Sequence, residues 1–150
     1  MGGNTDLEQK ELYDRVDDAV CAVRSALEEG ILPGGGLALY DEGLMMDTFV
    51  YKKKIPDSKS IAYAILAEAL KSPMKQIFSN AGYNDQKIND FCDFEHPYNE
   101  GVNVKTNHKG NLIEMGVIDP LKVTKQALQN AVSVAVTILS TNAIVTMARG

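Results

Sequence analysis

The chain has 150 residues, with 15 basic and 20 acidic side chains and a formal charge of −5. Its 45 % hydrophobic and 23 % charged content is that of an ordinary globular domain. A chain this long buries roughly two-thirds of its unfolded surface, enough for a real core. The acidic balance argues against nucleic-acid phosphates and against an anionic membrane surface as partners. The longest apolar stretch, 131–139, is broken by Ser133 and Thr137 and falls short of the ~20 residues a span needs. Met1-Gly2-Gly3-Asn4-Thr5-Asp6 has neither a basic n-region nor an apolar h-region, and Asp6 stands where myristoylation wants Ser or Thr. Cys21 and Cys92 lack metal-ligand spacing and read as reduced, structural thiols. His96 and His108 are isolated, which argues against zinc. A cytoplasmic chain is the expectation.

In chain order the pattern is mostly helical. Between Leu7 and Glu29 the apolar positions Leu12, Val16, Ala19, Val20, Val23 and Leu27 recur at three- and four-residue steps. Gly30 is a good stop, and 31–36, ending in Gly34-Gly35-Gly36, breaks the helix. A short helix is expected over Leu37 to Met46, followed by an exposed loop over 52–57. Asp57 or Ser58 caps a second long helix, with Ile61, Ile65, Leu66, Ala69 and Leu70 on its expected buried face. That helix kinks or restarts at Ser72-Pro73 and runs on to Gly82.

Asn84 to Phe91 reads as a short helix, and 95–99 as loop. The period then changes to two: Val102 and Val104 alternate with Asn103 and Lys105. Turn residues 107–110 follow, then Leu112 to Met115, so a β-hairpin is expected. Asp119-Pro120 reads as a cap and first helical proline. The last helix follows, with Val123, Ala127, Leu128, Ala131, Val134, Ala135 and Ile138 as its expected core stripe. The tail 143–147 has strand character. The residues alone therefore give a mainly α domain, antiparallel helices around an apolar core, with minor β.

Four features could carry chemistry, and each has a bland rival. Gly34-Gly35-Gly36 allows close approach of a phosphate or ribose, yet it lacks a P-loop's Lys-Ser/Thr, and a simple turn explains it. At ~100° per residue Asp18 points away from the Val16, Val20 and Val23 stripe. It is either part of a solvated acidic face or a carboxylate for a magnesium-bound water. Asp119 is explained as a cap, although a carboxylate there also suits ribose hydroxyls. Asn103 both donates and accepts, which suits an adenine edge; a turn asparagine is otherwise ordinary.

Taken in order, the segments resemble the group I chaperonins, the GroEL family. The resemblance is carried by 15–20 (Arg-Val-Asp-Asp-Ala-Val), by 28–36 (Glu-Glu-Gly-Ile-Leu-Pro-Gly-Gly-Gly) and by 115–120 (Met-Gly-Val-Ile-Asp-Pro) with Lys122-Val123-Thr124. Further matches are 127–131 with 133–135, 73–77, and Gly101-Val102-Asn103. They cover about Glu11 to Met147, with divergent stretches between Tyr40 and Asp57 and between Gly82 and Glu100.

The resemblance implies an ATP-driven protein-folding machine of stacked seven-membered rings. Residues 1–30 would form an intermediate-domain-like helix, and 31–150 the C-terminal portion of the equatorial ATP-binding domain, a helical bundle with a hairpin and a C-terminal strand. By position, Asp18 matches the carboxylate that swings onto the nucleotide and activates water near magnesium. Gly35 matches the glycine against the nucleotide. Asn103, with Val104 and Lys105, matches the adenine-contacting hairpin, and Asp119 the ribose-binding carboxylate. There are departures. The family's phosphate loop, magnesium aspartates and apical domain, which holds unfolded clients and the co-chaperonin, have no counterpart among these residues, and Val102 replaces an aromatic. The implied chain is a fragment or short relative that contributes half of a nucleotide site and joins other chaperonin subunits. The alternative is a nucleotide-independent helical interaction module on the same scaffold.

Overall fold

The computed structural model describes residues 5–53, 57–92 and 99–143. Five helices and four short strands follow in the order α1 (Asp6–Glu29), β1 (Ile31–Pro33), α2 (Leu37–Lys53), α3 (Asp57–Asn80), α4 (Asp85–Cys92), β2 (Glu100–Asn103), β3 (His108–Asn111), β4 (Ile118–Pro120) and α5 (Leu121–Leu139). They group into two compact units, one of residues 1–30 with 120–150 and one of residues 31–119. The mainly helical expectation holds. No helix among the described residues is long and apolar enough to cross a membrane.

The unit of residues 31–119 holds the buried core. Leu37, Tyr40, Met74, Phe78, Ile88 and Leu112 pack together, with Val102, Val104, Met115 and Val117 against them. Helices α2 and α3 lie side by side and are tied by Lys71, whose ammonium donates to Asp47 Oδ2 at 2.5 Å and Glu68 Oε2 at 3.3 Å. The Asp47 carboxylate raises the Lys71 pKa above its ordinary value. Phe78 meets Tyr83 edge-on at 5.4 Å. The expected short helix α4 is capped by Asn84, whose Oδ1 accepts from Lys87 N–H at 2.9 Å. Strands β2 and β3 form the expected antiparallel hairpin, with Val102 opposite Lys109 and Asn103 opposite His108.

Several expectations are corrected here. Helix α2 runs on to Lys53, so Lys52 and Lys53 are helical rather than loop, while 54–56 lie outside the described residues. Helix α3 is continuous through Pro73, which removes one amide from the helical ladder without ending it. Its buried face is Ala67, Leu70, Met74 and Phe78; Ile61 and Ile65 are exposed. The two stripes lie on the same helix at similar spacing, and only the position of α2 selects between them. Strand β1 pairs with β4, a pairing too short to show as periodicity. Residues 112–115 form turns rather than a strand. The loop 95–98 and the tail 144–147 lie outside the described residues.

The other unit is the pair α1 and α5. Thr5 caps α1, its hydroxyl accepting from Glu8 N–H at 3.2 Å. The Leu121 N–H donates to the Gly30 carbonyl at 3.1 Å, joining the end of α1 to the start of α5. Lys122 pairs with Glu28 and Lys125 with Glu29. Neither helix has a buried residue, so the core stripe expected of α5 is not buried among the described residues. Asp119 does not cap α5: Pro120 occupies the cap position and no side chain bonds there.

The corrected face of α3 gives a direct check. Leu70→Ala, at a site only 5 % exposed, should cost about 2–5 kcal/mol. Ile65→Ala, on the exposed stripe, should change stability by less than about 0.5 kcal/mol. Urea midpoints of the two variants read the difference; equal losses would mean that Ile65 is packed.

Candidate functional site

Three segments far apart in sequence converge on one cleft of about 380 Å³ in the unit of residues 31–119. The glycine turn contributes Gly35, α3 contributes Met74, Ile77 and Phe78, and the hairpin contributes Gly101 to Lys105. The stretch from Leu112 to Ile118 closes the remaining wall. Four of the expected site residues, Gly35, Asn103, Val104 and Lys105, thus line a single cavity.

The turn at its wall is built by backbone geometry. Gly36 has φ +78°, and a Cβ there would stand 2.7 Å from the Met74 nitrogen, so no larger residue fits. Gly35 has φ +67°, yet its missing Cβ would meet nothing nearer than Val117 Cγ1 at 4.0 Å. Its bare backbone therefore faces open space that a ligand can fill. The Gly34 N–H donates to the Val117 carbonyl at 2.8 Å and fixes the turn against the 112–117 segment.

Asn103 is committed on one side only. Its Oδ1 accepts from Lys105 N–H at 3.0 Å, and its backbone carbonyl accepts from Thr106 and Asn107 N–H at 3.2 and 2.8 Å. The side-chain carbonyl expected to be available to a base thus holds the hairpin turn. The Nδ2 hydrogens and a second Oδ1 lone pair remain, so Asn103 can still donate and accept. Asn107, at φ +57°, is held by the Tyr83 hydroxyl, which donates to its Oδ1 at 2.6 Å. Lys105 is exposed, and among the described residues its ammonium has no ion-pair partner.

Asp119 follows the lining residue Ile118 and is half-buried. Burial pushes its carboxyl pKa above the ordinary value. A carboxylate stripped of water and unused as a cap is poised to accept hydrogen bonds from a ligand. Asp18 belongs to the other unit, exposed on α1. Among the described residues no three His, Cys, Asp or Glu side chains converge on a metal position. The α3 residues Met74 and Phe78 and the loop residue Met115 were not singled out as site residues from sequence; 73–77 entered only as a matching segment.

The unit of residues 31–119 is mainly helical, with a glycine turn and a β-hairpin lining one cleft, as the resemblance to chaperonins leads one to expect of the fold. Comparison with known proteins agrees. The model of the TCP-1/cpn60 chaperonin family matches residues 1–149, and the chain belongs to that family. It is 36 % identical over 146 residues to the chaperonins GroEL of Orientia tsutsugamushi strains Boryong and Ikeda, matching 97 % of this chain. It spans 26 % of the length of those curated relatives. Among solved structures it is similar to a group III chaperonin in the open state, with a TM-score of 0.83 and 30 % identity over 97 % of this chain and 30 % of that one.

The environment of Asp119 makes a pH prediction. A carboxyl whose folded pKa is raised destabilises the fold above that pKa, and the penalty vanishes below its ordinary value of 3.8, where both states are protonated. Asp119→Asn should therefore raise the thermal midpoint at neutral pH. The gain should shrink as pH falls toward 3.8. A gain that is constant with pH would assign the effect to packing.

Proposed function

We propose that the chain is the C-terminal part of an ATP-dependent protein-folding subunit and supplies the base and ribose side of its nucleotide site. The convergence of Gly35 and residues 103–105 on one cleft, with Asp119 beside it, carries this reading. The lining suits a nucleoside. Met74, Ile77 and Val102 offer apolar surface to a base, and Asn103 Nδ2 donates to an acceptor on its edge. Gly35 leaves room for close backbone approach, and Asp119 exchanges lost water for ribose hydroxyls. Lys105 adds a positive charge on the same hairpin.

The magnesium and phosphate side is assigned to the remainder of the subunit, as the chaperonin resemblance implies; among the described residues no three His, Cys, Asp or Glu side chains converge on a cation position. There the magnesium ion supplies charge neutralisation at the phosphates. Asp18 accepts a proton from the attacking water in the complete subunit. The α1 and α5 faces belong to a scaffold that joins other chaperonin subunits in a ring, and client proteins and co-chaperonin bind elsewhere in the full-length protein. A cytoplasmic location accompanies this role. One observation favours a second reading, a nucleotide-independent interaction module: both helices of the α1–α5 unit expose long apolar stretches.

Calorimetric titration with Mg-ATP separates the two. Binding is expected when the chain is combined with an N-terminal equatorial segment of a chaperonin, and no ATP turnover is expected from the 150 residues alone. Asn103→Asp keeps the turn acceptor and removes the donor, so it should weaken binding about tenfold while leaving the hairpin intact. Absence of binding in the combined sample would favour the interaction module. Steady turnover by the short chain, abolished by Asp18→Ala, would overturn the assignment of half a site.

A further inference from the structure

Tyr83 is not among the residues that line the cleft, yet it is joined to two of the walls. The end of α3 puts it there. Gly82 takes the left-handed position at φ +84°. Its N–H donates to the Ser79 carbonyl at 3.0 Å, and the Tyr83 N–H donates to the Phe78 carbonyl at 3.1 Å. This pair of bonds is a Schellman ending, which brings the residue after the glycine onto an apolar side chain of the last helical turn. Here that contact is the edge-on meeting of Tyr83 with Phe78, a residue of both the core and the cleft wall. From α4 the Lys87 ammonium lies over the Tyr83 ring, 5.4 Å from its centre.

From this anchored ring the hydroxyl reaches the hairpin turn, donating to Asn107 Oδ1 at 2.6 Å across 24 residues of sequence. The turn needs such a hold. Val102 and Val104 pack against the core, but residues 105–109 are exposed, and a two-stranded ribbon has little stability of its own. Asn107 carries a left-handed φ of +57° and donates its N–H to the Asn103 carbonyl at 2.8 Å. Fixing Asn107 therefore fixes the backbone of Asn103, which lines the cleft.

We propose that Tyr83 is a positioning residue of the cleft: through Asn107 its hydroxyl holds Asn103 where the amide meets the edge of a base. This rests on the base-and-ribose reading given above. The ring anchors and the hydroxyl orients, so the two contributions separate chemically. Tyr83→Phe keeps the contact with Phe78 and removes the brace. Asn107→Gly removes the acceptor and leaves a residue at ease with φ +57°.

Hydrogen exchange on the full chain measures the brace itself. In Tyr83→Phe the Asn107 amide should exchange about three- to tenfold faster, with the amides inside α3 unchanged. Titration with Mg-ATP, on the chain combined with an N-terminal equatorial segment of a chaperonin, measures the consequence. Tyr83→Phe and Asn107→Gly should each weaken binding about three- to tenfold, and the double variant no more than either, because both remove one bond. Ribose 5-triphosphate, which lacks the base, should bind the wild type and the variants alike, whereas general loosening of the fold would weaken both ligands. Equal losses for the two ligands, additive losses in the double variant, or unchanged exchange at Asn107 would overturn the proposal. If the wild-type sample binds no Mg-ATP, the base-and-ribose reading fails and the proposal falls with it. Wild-type binding that Tyr83→Phe leaves intact overturns the positioning role alone.

Discussion

One peptide hydrogen bond, from the Gly34 N–H to the Val117 carbonyl at 2.8 Å, joins two parts of the chain that are 83 residues apart. The glycine turn is pinned by it against the segment that follows the hairpin. That segment is itself held to the core, because the Val117 N–H donates to the carbonyl of the buried Leu112 at 2.8 Å. The cleft exists because these two bonds act in series. Slackening either would move Gly35 relative to Asn103, and the two would cease to line one cavity. Gly36 adds a steric condition: its α-carbon sits so close to the Met74 amide that a side chain there would push the turn off α3.

The two units are stabilised by different physics. Residues 31–119 bury an interlocked set of large apolar side chains, the ordinary source of stability. The α1–α5 pair buries none and relies on a backbone bond between Gly30 and Leu121 with two exposed ion pairs. The Lys122 hydrogen bond holds the Glu28 carboxyl below its ordinary pKa, but solvent screens pairs of this kind. Two long helices joined in this way must find further apolar cover. The apolar face of α5 makes the same demand.

Elements with long, strong periodicity were legible before the structure: α1, α4, the β2–β3 hairpin and the existence of α3 and α5. What periodicity could not decide was which face is inside. On α3 two apolar stripes compete, and the winner depends on α2, which is remote in the pairing problem. On α5 the stripe was real and the buried partner was not among the described residues. The pairing of β1 with β4 was invisible because three residues, one of them proline, carry no alternation. For the site, the glycine run and Asn103 stand out by residue type, and the resemblance supplies their nucleotide roles. Their meeting in one cleft is a matter of tertiary contact that no local pattern encodes.

Asn103 and Asp119 show how a bland explanation should be weighed. From sequence each had a sufficient structural reason to exist, one as a turn asparagine and the other as a helix cap. The structure keeps the first reason and removes the second. Asn103 does hold its turn through Oδ1, which accepts from Lys105 N–H. Asp119 caps nothing, yet it sits half-buried with a carboxyl that burial makes harder to ionise. A fold gains no stability from an unpaired, desolvated carboxylate. Asp119 therefore adds nothing to the fold as a cap, while Asn103 both holds its turn and lines the cleft with one side chain.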